Sequence, residues 1–241
     1  MDSSIRVADL RASRGAGWIA GSWTFFRAAP MAWMGLCGGW LMVIFALLLM
    51  GVVGVVIMNF VQPVFFASFA IAAYRQAAGE RLAMADLFSG FRRNLRPLIN
   101  IGAIMMIVEF AVAMLMTALG LPTVKVSDDL DLAEYADALG GKEWILFTGL
   151  VLMALTKAIL WFTPPLIAFH GMDTMQAIRW SAYAAISNAG ALATYFLLLS
   201  VMIVLGMAPW LLGLIVVIPL GVISTYVSYH EVFESAPAKP Q

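Results

Sequence analysis

Two ionisable residues stand inside apolar runs: Glu109 in "INIGAIMMIVEFAVAML" and Lys157 in "FTGLVLMALTKAILWF". An acid and a base in such surroundings do one of two things. They carry a proton or a charged substrate, or they pair and fix the register of two helices. Glu109 lies twelve residues after Pro97, and Lys157 thirteen before His170. At about 1.5 Å per residue each is roughly 18–20 Å from the same end of its helix. A lone charge near a bilayer centre costs at least about 2.5–3.5 kcal/mol. The spacing therefore predicts a Glu109–Lys157 contact. One acid and one base without a further ionisable chain favour the register role over a proton relay.

The other polar candidates are weaker. His170 and Asp173 have i, i+3 spacing, with His230 near a later helix end, but no third ligand and no HExxH or paired-cysteine motif completes a metal set. Asp173 followed by Gln176 reads instead as a capping box. Cys37 is the only cysteine, so no intrachain disulfide forms. Asn59 and Gln62 precede Pro63, and Thr163 precedes Pro164. Prolines free backbone carbonyls that nearby polar groups satisfy, so Asn59, Gln62, Thr163 and His170 are the candidates for a polar cavity. The expectation is no metal, no cofactor and no enzymatic activity.

The elements that position these residues follow from composition. Of 241 residues 63% are hydrophobic and 12% charged. Soluble domains average about 45–50% apolar and about 25% charged. The surplus lies in six runs long enough to span a membrane, at about 31–51, 55–76, 97–119, 144–169, 189–207 and 209–229. Eleven of the fourteen basic residues fall on one side, including Arg27, Arg92, Arg93, Arg96 and Arg179. That side is cytoplasmic by the positive-inside rule, with both termini there. The opposite side carries an acidic loop, 120–143. The arginines adjoin the membrane with no soluble domain to present them, so nucleic-acid binding has no support. The tryptophans lie mostly near span ends, as in an aromatic belt.

Three amphipathic segments precede odd-numbered spans: "GWIAGSWTFFRAAP", "DLFSGFRRNLRPL" and "DTMQAIRWSAYAAISN". In the second, Met84, Leu87, Phe88, Phe91 and Leu95 make one apolar face and Arg92, Arg93 and Arg96 the other. In the third the stripe is Met175, Ile178, Ala182 and Ile186. Each reads as an interfacial helix, apolar face in the lipid boundary and arginines on headgroups. The even-numbered spans share prolines, at Pro63, Pro164 and Pro219. The fold expected is an all-α, six-span membrane bundle of three parallel repeats, about 13–80, 81–170 and 171–234. Together they form one membrane domain, 1–234, with a flexible tail, 235–241.

The order "DLFSGFRRNLRPL", "WFTPPLIAFHGMDTMQAIRWS", "YVSYHEVF" resembles a family of uncharacterised six-span inner-membrane proteins of Gram-negative bacteria. More distantly it is similar to the membrane domain of glycerophosphoryl diester phosphodiesterases. The close resemblance covers about residues 12–234 outside the acidic loop. It implies fold and location and no activity, since the phosphodiesterase catalytic domain has no counterpart here. The function expected is a non-enzymatic inner-membrane scaffold, accessory or assembly protein. Its partners would be membrane lipids and another membrane complex or a second copy. The alternative is a small permease or lipid-handling protein with a cavity near Glu109 and Lys157.

Overall fold

A computed structural model describes residues 5–122, 139–208 and 210–234, and among these the regular structure is all helical, without strands. The acidic positions 128–137, Pro209 and the tail 235–241 lie outside the described residues. In chain order the elements are α1 (Arg14–Ala28), α2 (Pro30–Leu48), α3 (Val52–Ala77), a 3-10 helix (Met84–Arg92), α4 (Leu95–Ala118) and α5 (Glu143–Ile159). There follow α6 (Thr163–His170), α7 (Thr174–Ser187), α8 (Ala189–Met207), α9 (Leu214–Tyr229) and a π-helical turn (His230–Glu234). Six stretches are long and apolar enough to cross a membrane, α5 and α6 counting as one.

Their limits follow the apolar runs, with three differences. The third stretch starts at Leu95, so Pro97 sits in the first turn, where its missing N–H costs nothing. Asn94 opens it in the left-handed region, φ 38°, and donates from Nδ2 to Ile167 O at 3.3 Å. The fourth stretch is broken at Leu160–Phe162. Pro164 and Pro165 cannot donate to the preceding turn. Ser181 of α7 mends the gap, accepting from Phe162 N at 3.1 Å and donating to Ile159 O at 2.6 Å. The sixth begins at Leu214, not 209, because Trp210 and Leu211 turn through positive φ. There Gly213 N donates to Gly206 O at 3.2 Å.

The second helix of each hairpin is inner: α3, α6 and α9 bury long runs, including Pro63, Pro164, Pro165 and Pro219. Near one end their rings meet: Tyr74–Phe169 at 5.5 Å, Tyr74–Tyr226 at 6.3 Å and Phe169–Tyr226 at 6.2 Å between centroids. The outer helices α2, α4, α5 and α8 leave a belt of large apolar side chains exposed, among them Phe45, Phe110, Leu150 and Leu197.

The amphipathic segments dock on the bundle, and the second and third still leave part of their expected apolar faces exposed, Met84, Phe88 and Leu95 in one and Met175 and Ile186 in the other. α1 buries Gly15, Trp18, Ser22 and Phe26 against α8 and α9. A Cβ on Gly15 would stand 2.6 Å from Tyr195 N. The second segment is a 3-10 helix packed on α2 and α3, where Gly90 N donates to Ser68 Oγ at 2.9 Å. α7 packs on α5 and α6 through Ala177, Trp180, Ser181, Ala184 and Ala185. Its expected stripe of Met175, Ile178, Ala182 and Ile186 is the less buried face. Small residues let helix backbones approach closely, which a hydrophobic stripe does not require. Each segment thus packs on the hairpin before it. α1 packs on α8 and α9, so among the described residues the packing closes in a ring.

The tryptophan belt is likewise corrected. Trp18 and Trp33 are fully buried and Trp180 nearly so. Trp18 Nε1 donates to Glu231 Oε2 at 2.9 Å, Trp33 Nε1 to Gln76 Oε1 at 2.8 Å and Trp161 Nε1 to Ser228 Oγ at 2.9 Å. Only Trp23, Trp144 and Trp210 among the expected belt are large exposed surfaces.

Candidate functional site

α4 and α5 pack as a hairpin and bring Glu109 and Lys157 together, Lys157 Nζ donating to Glu109 Oε1 at 2.8 Å. The pair is half-buried, the lysine side chain 40% and the glutamate 31% exposed. Its surroundings are apolar: Ile107, Phe110, Met114, Leu150 and Leu155 are exposed on the same two helices. In lipid those neighbours leave each charge only the other to answer it.

A cavity of about 220 Å³ adjoins the lysine. Its wall is Pro63, Phe66, Ile101, Met105, Leu160, Trp161, Pro164 and Phe196, with Gln62 and Lys157 as the polar members besides the indole N–H. The volume is below the roughly 300–1,000 Å³ of small-molecule sites. Of the four candidates for a polar cavity only Gln62 lines the space. Thr163 is fully buried behind Pro164, its hydroxyl without a hydrogen-bond partner among the described residues. Asn59 donates to Val55 O at 3.1 Å along its own helix. His170 sits at the far end of α6, with Nε2 2.7 Å from Tyr229 OH. A proline frees a carbonyl, but neighbouring helices close over it here with rings and aliphatic chains.

The end that carries the arginines holds a second charged group, which spacing did not reveal. Arg75 donates to Glu80 Oε2 at 2.7 Å and to Asp86 Oδ1. Asp86 is 3% exposed and accepts Ala83 N on its other oxygen at 2.8 Å. The one available signal was its place three residues after Ala83, at the start of an apolar turn. Arg14 pairs with Glu231, which also takes Trp18. The hydrogen bond from Arg14 and the charge of Glu231 together hold that guanidinium above its ordinary pKa. Arg27, Arg92, Arg93, Arg96 and Arg179 are all exposed.

His170, Asp173 and His230 do not converge: among the described residues no three metal-ligating side chains come together. Asp173 caps α7, accepting Gln176 N at 2.8 Å. Cys37 is buried in α2. Comparison with known proteins finds no match to this chain among family models, curated proteins or solved structures.

Proposed function

We propose that this chain is a multi-pass protein of the bacterial inner membrane, built from three parallel repeats, with both termini and the arginine-rich end cytoplasmic. It works there as a non-enzymatic scaffold, accessory or assembly protein. The repeat reading draws support from the ring of packing, in which each amphipathic segment docks on the preceding hairpin. Ser22, Ser89 and Ser181 also stand eight residues before Pro30, Pro97 and Ala189 respectively.

The observation that carries the scaffold reading is a layer of rings across the centre of the three hairpins near the arginine-rich end. Where three hairpins converge, Tyr74, Phe169 and Tyr226 touch one another. At that level the rings leave no central channel for a polar solute. The outer belt of apolar side chains is left for lipid, a partner's helices or a second copy.

A second reading, lipid handling, is favoured by the apolar cavity with Lys157 on its wall. The test is purification from native membranes in gentle detergent, with mass spectrometry of bound proteins and lipids. A stoichiometric partner or a homo-oligomer is expected. A monomer with no protein partner overturns the scaffold reading. A lipid retained by that monomer and lost in Lys157→Met establishes the second.

A further inference from the structure

The arginine-rich end contains a cavity of about 440 Å³ bounded by Ile71, Tyr74, Arg75, Glu80, Arg93 and Phe169. Its wall mixes polar and apolar groups, whereas that of the mid-helix cavity is almost wholly apolar. Buried Ile71 and half-buried Phe169, from inner helices α3 and α6, supply its apolar side. The Tyr74 and Phe169 rings lie 5.5 Å apart.

The charges are not those of a simple anion site. Arg75 is already held by Glu80 and Asp86. Glu80 is half exposed and gives Arg75 only Oε2, leaving Oε1 without a hydrogen bond among the described residues. Arg93 is exposed and makes no ion pair among the described residues. A lone phosphate on Arg93 would share the space with the Glu80 carboxylate. A lone cation beside Glu80 would share it with Arg93. A ligand carrying both charges a few bonds apart answers both.

We propose that this pocket binds a phosphoethanolamine group. The phosphate takes the Arg93 guanidinium, whose planar fork suits two oxygens at once. The ammonium takes Glu80 Oε1 and the face of Tyr74. A glycerol or acyl portion lies along Ile71 and Phe169. As a lipid site this rests on the membrane placement proposed above.

The test is native mass spectrometry of the full chain in detergent with equimolar phosphatidylethanolamine and phosphatidylglycerol. Wild type is expected to retain phosphatidylethanolamine about tenfold better, the worth of one charge-assisted contact. Glu80→Gln should erase that preference, because it removes the ammonium partner and the repulsion of an anionic lipid together. Arg93→Gln should lower retention of both lipids, and Arg93→Lys should restore part of it. Thermal unfolding confirms that each variant is folded.

Soluble glycerophosphoethanolamine distinguishes the source: displacement of the lipid at equal concentration marks a soluble ligand, and no displacement marks the bilayer. An unchanged lipid ratio in folded Glu80→Gln overturns the pocket. A chain that leaves the membrane fraction without detergent overturns the membrane placement instead.

Discussion

Asp86 and Glu109 are both carboxylates that answer a cation, and they are held in opposite ways. Asp86 is 3% exposed, with one oxygen on Arg75 and the other on the Ala83 amide. Glu109 is 31% exposed, and Lys157 is its single hydrogen-bond partner among the described residues. Asp86 thus has two supports, one of them backbone, while its partner Arg75 also holds Glu80. Either group survives the loss of one contact. Glu109 and Lys157 have no such redundancy. Their dependence on one another is set by what lies outside the α4–α5 surface: in water a pair of this exposure contributes little, whereas in lipid each charge is stranded without the other.

The largest effect should come from Lys157→Met. With lipid against α4 and α5, the stranded carboxylate costs about 2.5–3.5 kcal/mol. With water there, the loss stays under about 1 kcal/mol. Reversible unfolding in mixed micelles reads the difference, and the smaller value would break the comparison. Pairing that change with Glu109→Gln should bring stability back to within about 1 kcal/mol of wild type, since removing both charges leaves no unpaired one. A double variant no better than the single would show that the two residues do more than satisfy each other.

Asp86→Ala comes next, at about 1–2 kcal/mol, because the Ala83 amide loses its acceptor while Arg75 keeps Glu80. Amide exchange should rise across Met84–Arg92 and remain unchanged in α4. Rising exchange in both would mean that the 3-10 helix and α4 open as one unit.

The smallest effect belongs to Arg14→Gln, because the Arg14 side chain is 54% exposed and solvent screens its pair with Glu231. Its raised pKa means the contribution is complete below the ordinary arginine range, so stability should show no Arg14-linked titration between about pH 5 and 9. Added salt should shrink the difference from wild type further.

The long helices were legible because run length and hydropathy set them directly. Pro30 at the head of α2 and Asp173 at the cap of α7 marked their starts by backbone chemistry alone. The Glu109–Lys157 contact was legible because two charges in apolar runs at equal depth have few other partners. What could not be read was which apolar phase covers a hydrophobic face. Lipid and a neighbouring helix make the same demand on Trp18 or Trp180, so a buried anchor and an interfacial belt share one pattern. The break at 160–162 depends on Ser181, about twenty residues away, and the cavity's polarity depends on which helices close over Gln62. Asp86 gave only a local cap signal, because its ion partner Arg75 lies on a different helix.

The ring of packing also sets a timetable for synthesis. Trp18 finds its partner Glu231 across 213 residues, a stretch that takes roughly 10–40 s to make at about 5–20 residues per second. Through that interval α1 has no α8 or α9 to receive it. α1 is made before the helices that receive it and docks only after them. Its buried face must wait in some other apolar company, a chaperone, the insertion machinery or the membrane surface itself, and a chain stopped before its final hairpin would leave that face permanently without a seat.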